Sequence, residues 1–237
     1  MDLQHLLDHG SEYFLPNLSI DLVIIGYQEG ALKCLLLKLG NKWVVPGGYI
    51  KREESVEEAV PFILKERTGL EDPHFKFLQV FGASDRVFTE EFQEYFIQTG
   101  KPWKPEYWIN NRFVTLAYYS LVDIATTHPI PGFFDEAAEW FPFDALPPMW
   151  LDHTTIVSTA RNRLKKDIQQ EHLTYNLLPP EFTMPELHQL HQTILQESLD
   201  RSRFQKKMLA SGLFERLPKL KKDTPGSNPY QYRLKAE

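Results

Sequence analysis

Cysteine is almost absent from this sequence of 237 residues, which contains only Cys34. A single cysteine excludes an internal disulfide and a cysteine-rich zinc site. Its place in the apolar run ALKCLLLKL predicts a buried side chain without a chemical role. No apolar run is long enough to cross a bilayer, and the first residues lack the basic start and long apolar stretch of a secretion signal. We therefore expect a cytoplasmic protein without a membrane partner.

Basic residues are outnumbered overall, with 26 lysines and arginines against 32 acidic residues and a net charge of −6. They are concentrated in residues 197–237, which contain ten basic and five acidic residues and are therefore net +5. The preceding residues hold 16 basic and 27 acidic residues, which makes them net −11. A basic tail on an acidic body predicts an anionic partner for the tail, and a merely solvated basic surface is the alternative.

Strand and helix patterns alternate in the first part of the sequence, which predicts an α/β fold. The run SIDLVIIGYQEGALKCLLLKL predicts a β-hairpin that turns at residues 28–30. Residues 55–68 predict a helix, because Ser55 and Glu58 have the spacing of a capping box and a glycine follows the helix end. Residues 152–170 have apolar side chains at helical spacing and predict a long helix.

Residues 87–111 predict a long, irregular, aromatic loop, and loops of that length are more often binding or interface elements than plain connectors. Within it, Trp103, Tyr107 and Trp108 predict either stacking on a base or sugar or closure of a dimer interface. Two pairs of histidines have helical spacing but lack the further ligands of a metal site, so we interpret them as surface or packing residues. The pairs are His5 with His9 and His188 with His191.

A second domain is expected after a proline-interrupted linker, so the predicted domains are residues 1–173, which include the linker helix, and residues 174–237. Two helices at residues 184–196 and 200–211 are followed by two short β-like runs around a basic loop, which predicts a winged helix-turn-helix. An apolar stripe on the first helix would face Phe204 and Met208 of the second. A basic helix pair used for protein contact is the alternative.

A winged helix implies double-stranded DNA as partner, with the second helix in the major groove and the hairpin on the phosphate backbone. Basic residues of the second helix and of the hairpin are the candidate contacts. They are Arg201, Arg203, Lys206, Lys207, Arg216, Lys219, Lys221, Lys222 and Arg233.

The stretch VPGGYIKREESVEEAVPFILKERTGL, residues 45–70, resembles the Nudix box. That pattern is Gly, five residues, Glu, seven residues, Arg-Glu, an apolar residue, any residue, Glu-Glu, any residue, Gly and an apolar residue. It fits from Gly48, and the further matching positions are Glu54, Leu64, Glu66, Gly69 and Leu70. The resemblance implies an α+β sandwich in which a mixed sheet lies between helices.

The departures from this pattern fall on its chemistry. Nudix enzymes hold divalent metal on carboxylates of this helix and hydrolyse diphosphates linked to a nucleoside or another group. Phe62 and Ile63 replace the Arg-Glu pair, and Arg67 replaces a glutamate. Magnesium requires oxygen ligands, whereas positions 63 and 67 share one helical face and offer hydrocarbon and a permanent positive charge. We expect no catalytic residue, metal or cofactor; hydrolysis of a nucleoside diphosphate derivative such as ADP-ribose is the alternative.

A degenerate Nudix domain followed by a winged helix resembles the Nudix-related transcriptional regulators of bacteria. The resemblance covers nearly the whole chain and includes FGASDR, NLLPPEFTMPELHQLHQTIL and the closing GSNPYQYRL. It implies a homodimer on a palindromic operator and a small effector, either ADP-ribose or a pentose such as arabinose, in control of NAD metabolism or sugar use. A metabolite-binding module whose tail binds another protein is a third reading.

The effector pocket is expected beside the former hydrolytic centre. Gly47 and Gly48 would allow close backbone approach, and charged side chains would bind polar groups of the effector. A structural ion pair is the alternative for each charged candidate, and for Asp85 and Arg86 the two readings are equal. The candidate residues are Gly47, Gly48, Glu66, Arg67, Asp85, Arg86 and Arg112.

Overall fold

A computed structural model describes residues 2–71, 74–132, 134–170, 177–220 and 228–235. Within these ranges the chain forms ten strands and six α-helices. The strands are β1 (Phe14–Gln28), β2 (Ala31–Leu39), β3 (Lys42–Val44), β4 (Gly47–Lys51), β5 (Phe75–Phe81), β6 (Val114–Leu121), β7 (Ala137–Pro142), β8 (Phe182–Thr183), β9 (Phe214–Lys219) and β10 (Tyr230–Leu234). The helices are α1 (Leu3–Tyr13), α2 (Val56–Thr68), α3 (Thr89–Gln98), α4 (His153–Gln170), α5 (Met184–Leu195) and α6 (Arg201–Ala210). None of the described helices is both long and apolar enough to span a membrane.

Seven strands form one mixed sheet in the order β3-β2-β1-β6-β5, with β4 added to β1 and β7 added to β2. The pairing of β1 with β6 is parallel, and the other pairings in this sheet are antiparallel. Successive residues of a strand point to opposite faces. Leu22 and Ile24 therefore pack with α2 on one face, while Val23 and Ile25 pack with α4 on the other. The predicted sheet between helices is confirmed.

Local sequence signals account for the β1–β2 hairpin and for helix α2. The β1–β2 hairpin turns through Glu29 and Gly30, both with positive φ (54° and 78°), as a type I′ turn requires. Helix α2 begins after Ser55, which forms the predicted capping box with Glu58, and it ends at Gly69 in the left-handed conformation. Both predictions are confirmed.

The prediction of an irregular loop at residues 87–111 is wrong, because the segment contains α3 and a 3-10 helix, Trp108–Asn110. Tyr107 and Trp108 are buried with α1, and the Trp108 indole donates to the Leu6 carbonyl at 2.9 Å. Neither ring is free to stack on a ligand or a second chain. Residues 87–111 therefore contribute to a second hydrophobic core rather than forming an irregular loop.

Helices α5 and α6 and the three-stranded sheet β8-β10-β9 follow α4. Leu187 and Leu190 of α5 are fully buried, and Phe204 and Met208 of α6 pack in the same cluster, as predicted. This cluster continues through α4 to the large sheet. The helical pair is also held on the sheet side by the Thr193 hydroxyl, which donates to the Gly30 carbonyl at 3.2 Å. The position of α4 is therefore linked to that of the winged helix.

Candidate nucleic-acid and effector sites

Helix α6 has one apolar face and one basic face. Asp200 caps its N-terminus by accepting from the Arg203 amide at 2.7 Å. Phe204 and Met208 are turned inward and buried, and the intervening residues are exposed. The exposed basic residues of this helix are Arg201, Arg203, Lys206 and Lys207. The apolar residues thus fix the helix on the domain while its four cations face solvent.

Strands β9 and β10 form the hairpin that was predicted as the wing. Arg216 and Arg233 lie on its two strands, and Lys219 ends β9; all three are exposed. The predicted contacts Lys221 and Lys222 lie outside the described residues. Seven of the nine predicted contacts are therefore described: four on α6, two on β9 and Arg233 on β10. Their contact with DNA stays a prediction.

The position of the lost Nudix glutamate is filled with hydrocarbon. Ile63 is 6% exposed and lies against β4, so that a Cβ at Gly48 would come 3.0 Å from its side chain. Gly48 is therefore needed for close packing of helix on strand. Phe62 is exposed, with the Lys51 ammonium 4.1 Å from its ring centre. Neither residue can supply an oxygen ligand.

Arg67 is occupied by partners within the protein. Its Nε donates to the Gly47 carbonyl at 3.0 Å, and its Nη1 forms an ion pair with Asp135 at 3.0 Å. Asp135 also accepts from the Gly132 amide at 2.6 Å. Arg67 therefore joins α2 to β4 and to the segment before β7. The sequence had instead suggested that this arginine is free to bind an anionic group of the effector.

The remaining carboxylates of the Nudix box do not converge. Glu54 accepts from the Lys51 amide at 2.6 Å, and Glu66 is exposed. Among the residues that the structure describes, no three histidine, cysteine, aspartate or glutamate side chains are grouped to hold a metal ion. This donor set does not fit the magnesium site of a Nudix hydrolase.

Arg86 lies at the centre of a buried ionic cluster. Its side chain is 2% exposed and forms ion pairs with Asp21 of β1 at 2.8 Å and with Asp152, just before α4, at 3.0 Å. Its Nη1 is buried without a hydrogen-bond partner in the described part of the chain. Asp85, its neighbour, is exposed. Arg86 thus has the structural ion pair that sequence analysis left open, although one donor stays unused.

The cluster extends to a buried histidine at the start of α4. His153 Nδ1 accepts from the Val45 amide at 3.0 Å. Burial lowers the pKa of His153, and Arg86 lowers it further, while Asp21 and Asp152 act in the opposite direction. A neutral imidazole is what an acceptor role at Nδ1 requires. The first turn of α4 is therefore fixed on both the β1 and the β3–β4 side.

Arg112 lies at the edge of the same region and binds backbone. Its Nε donates to the Ala83 carbonyl at 3.1 Å and its Nη2 to the Gly82 carbonyl at 2.6 Å. The structure thus divides the candidate effector residues between α2 with β4, where Gly47, Gly48, Glu66 and Arg67 lie, and the loop after β5 with the segment just before β6, where Asp85, Arg86 and Arg112 lie. A role in ligand binding stays a prediction for each of them.

Sequence analysis missed the three aspartates that form ion pairs with Arg67 and Arg86, namely Asp21, Asp135 and Asp152. Asp21 carried a signal, because an aspartate within the strand SIDLVII is unusual unless it is paired. Asp135 and Asp152 lie in polar segments where an aspartate is common, so nothing marked them.

Comparison with known proteins covers both parts of the chain. Residues 174–234 match the NrtR DNA-binding winged helix domain. A relative from Acinetobacter baylyi, the ADPR responsive transcriptional repressor NtrR, is 26% identical over an alignment of 235 positions that covers 94% of this chain and 84% of that protein.

Solved structures share the whole architecture. Shewanella oneidensis NrtR complexed with a 27mer DNA has a TM-score of 0.71 at 22% identity, over 92% of this chain and 93% of that chain. A MutT/nudix family protein from Enterococcus faecalis has a TM-score of 0.68 at 23% identity, over 99% and 94%. Residues 174–234 thus match an NrtR-type winged helix, and the chain as a whole is similar to Nudix-related transcriptional regulators, in which such a winged helix follows a Nudix-fold domain.

Proposed function

We propose that this chain is a transcriptional repressor whose winged helix binds operator DNA and whose Nudix-fold domain binds ADP-ribose as the controlling effector. One observation carries the DNA-binding part: α6 buries Phe204 and Met208 and exposes its cations on the other side. Such a helix fits the major groove, because its apolar face anchors it while its basic face meets phosphates and bases. The similarity to an ADPR responsive repressor supports the choice of effector over a pentose.

The Nudix-fold domain acts as a receptor in this proposal rather than as a hydrolase. Ile63 is packed against β4, and Arg67 is paired with Asp135, so two positions of the metal-binding face carry no carboxylate. Incubation with ADP-ribose and magnesium is expected to release no phosphate or nucleotide. Turnover would favour the hydrolase alternative.

The chain acts as a homodimer in this proposal. Two recognition helices about 34 Å apart would reach successive major grooves of a palindromic operator. ADP-ribose would change their spacing or angle, and it can do so only to the extent that it binds one arrangement more tightly than the other. Helix α4 would transmit this change from the Nudix-fold domain to the winged helix, because its start is bonded to the Nudix-fold domain and its apolar face packs with α5.

Two measurements test this function. A thermal-shift series with ADP-ribose, NAD and arabinose identifies the effector, since a ligand that binds the native state raises its stability. Fluorescence anisotropy with duplexes selected from a random library measures DNA binding at several salt concentrations. Affinity that falls steeply with salt is expected, because phosphate contacts release counterions. Absence of salt-sensitive binding would favour the third reading, in which the tail contacts a protein.

A further inference from the structure

We propose that Tyr230 is a positioning residue of the wing, which holds the Arg216 guanidinium flat and free to bind a DNA phosphate, whereas Arg233 contributes little. This inference rests on the proposed DNA binding and deepens it. It distinguishes Arg216, whose side chain is oriented for a phosphate, from Arg233, whose charge is neutralised by a neighbouring carboxylate.

Arg216 is stacked on an aromatic ring. Its Cζ lies 3.3 Å from the centre of the Tyr230 ring, and the Lys219 ammonium lies 5.1 Å from the same centre. The ring is 37% exposed, so the stack lies at the surface. A guanidinium that stacks face-on keeps its N–H donors in a plane parallel to the ring, where they point outward.

The donors of Arg216 are not used within the described part of the chain, where this residue has its ring contact but no hydrogen bond or ion pair. A planar fork of free donors matches the geometry of a phosphate, which it can bind through two oxygens. Because the ring already restricts the side chain, less conformational freedom is lost when a phosphate binds.

Arg233 has the opposite environment, one strand away. Its Nε donates to Glu215 Oε2 at 2.8 Å, and this carboxylate raises the pKa of Arg233. A phosphate that approached Arg233 would meet the negative charge of Glu215 at the same place. The two arginines therefore present one free and one compensated charge, although they are equivalent in the sequence.

The hairpin itself explains why Tyr230 can take this place. Tyr232 is buried in the core and fixes β10, and it pairs with Arg216 across the ladder. The register then shifts, so that Tyr230 pairs with Lys219. Between these two pairs β9 contains one residue more than β10, next to Pro218. The Tyr230 ring can therefore contact both Arg216 and Lys219 of β9.

The experiment measures DNA affinity and its salt dependence on a selected duplex for the full chain and its variants. Arg216→Ala should weaken binding by about tenfold and reduce the salt slope by about one. Tyr230→Leu should weaken binding by about three- to tenfold without changing the slope, since the charge remains while its orientation is lost. Tyr230→Phe keeps the ring and should bind as the wild type does. Arg233→Gln is the matched control and should change affinity by less than about twofold.

A double variant separates positioning from a general structural effect. In the Arg216→Ala background, Tyr230→Leu should cause no further loss, because Tyr230 acts through Arg216. Equal losses in both backgrounds would overturn the inference, as would a larger effect of Arg233→Gln than of Arg216→Ala. Melting curves of all variants identify any that fail to fold, and if Tyr230→Leu does so, the comparison of Arg216→Ala with Arg233→Gln remains as the test. If the wild type binds no duplex even at low salt, the proposed function fails together with this inference.

Discussion

Arg86 donates from Nε to both carboxylate oxygens of Asp152, at 3.0 and 3.3 Å, and thereby ties the loop after β5 to the start of α4. Its other ion-pair partner, Asp21, lies against β4, since a Cβ at Gly47 would come 3.0 Å from Asp21 Oδ1. The Gly47 carbonyl accepts from Arg67 of the Nudix helix. Two ion pairs of Arg86, the pairing of Asp21 with Gly47 between β1 and β4, and the hydrogen bond from Arg67 therefore connect α2 to the start of α4, the helix that precedes the winged helix.

If effector binding acts through these contacts, Asp152→Asn should uncouple the two domains. The variant keeps the shape of the side chain, and Arg86 retains Asp21, so the fold should survive. We expect the separate affinities for ADP-ribose and DNA to change by less than about threefold. The ratio of DNA affinities with and without ADP-ribose should move toward one, because coupling of about 1–3 kcal/mol depends on such two-state contacts. Anisotropy titrations with and without ADP-ribose give this ratio.

Asp144→Asn is the control for Asp152→Asn. Asp144 forms an ion pair with Arg161 of helix α4 at 2.7 Å. Its side chain is 77% exposed, and its partner is not one of the residues of the buried cluster around Arg86. It should leave the ratio unchanged. A ratio in Asp152→Asn equal to that of the wild type would exclude the Arg86–Asp152 contact as the connection.

The recognition helix is tested by Lys206→Ala combined with Lys207→Ala. Both residues are exposed on α6, so their removal should leave the fold intact. We expect weaker DNA binding and a salt slope reduced by up to about two, since each phosphate contact contributes about 0.9 to the slope on duplex DNA. The measurement is the logarithm of the affinity against the logarithm of salt concentration.

Lys65→Ala combined with Lys104→Ala removes the same charge from exposed positions on the Nudix-fold domain. This control should keep the slope of the wild type. If it reduced the slope as much as the α6 variant does, net charge rather than α6 would govern binding, and the choice of recognition helix would be wrong.

Short-range signals were enough to predict the hairpin, the capping box of α2 and the two faces of α6. Each of these depends on residues within one or two turns of each other, so the sequence displays them directly. The segment 87–111 was misread because its aromatic residues suggested a surface loop, whereas they pack against α1, about 100 residues away. Burial against a distant element leaves no local pattern.

The ionic contacts of the candidate effector region could not be predicted for the same reason. Arg67 meets Asp135 and Arg86 meets Asp21 and Asp152 across 65 to 68 residues of sequence. The sequence shows that the Nudix carboxylates are missing, but it does not show which carboxylate forms an ion pair with Arg67. The fold thus followed from sequence patterns, while the partners of each charge required the three-dimensional arrangement.

Arg67→Ala tests whether this arginine is a structural residue. Asp135 has a side-chain exposure of 7%, so loss of its partner would leave a largely buried carboxylate supported only by the Gly132 amide. We expect the free energy of unfolding to fall by about 1–3 kcal/mol. Urea unfolding monitored by circular dichroism measures this change.

Two comparisons separate the pair from a nonspecific effect of Arg67→Ala. Lys65→Ala breaks an exposed pair with Glu71 on the same helix and should change stability by less than about 1 kcal/mol. Adding Asp135→Ala to Arg67→Ala should destabilise less than the sum of the two single changes, since no unpaired carboxylate remains. Strict additivity would mean that the ion pair does not stabilise the fold.

His153 should make stability depend on pH near neutrality. Its pKa in the folded protein is lowered by burial, whereas the unfolded chain keeps a pKa near 6.5. The unfolded state therefore binds more protons below about pH 6.5, and protonation favours unfolding. The stability that the neutral ring provides is present above this pH and is lost as pH falls through the lower pKa of the folded state, with a slope of at most about 1.4 kcal/mol per pH unit.

His153→Asn isolates this contribution, because an amide oxygen can accept from the Val45 amide as Nδ1 does, but it does not titrate. Urea unfolding between pH 5 and 7.5 should show a shallower loss of stability toward acid in the variant than in the wild type. The two proteins differ only at residue 153, so the difference between the two curves reports the histidine. Curves that run parallel would mean that His153 has the same pKa in the folded and unfolded states, and the neutral acceptor at the start of α4 would be disproved.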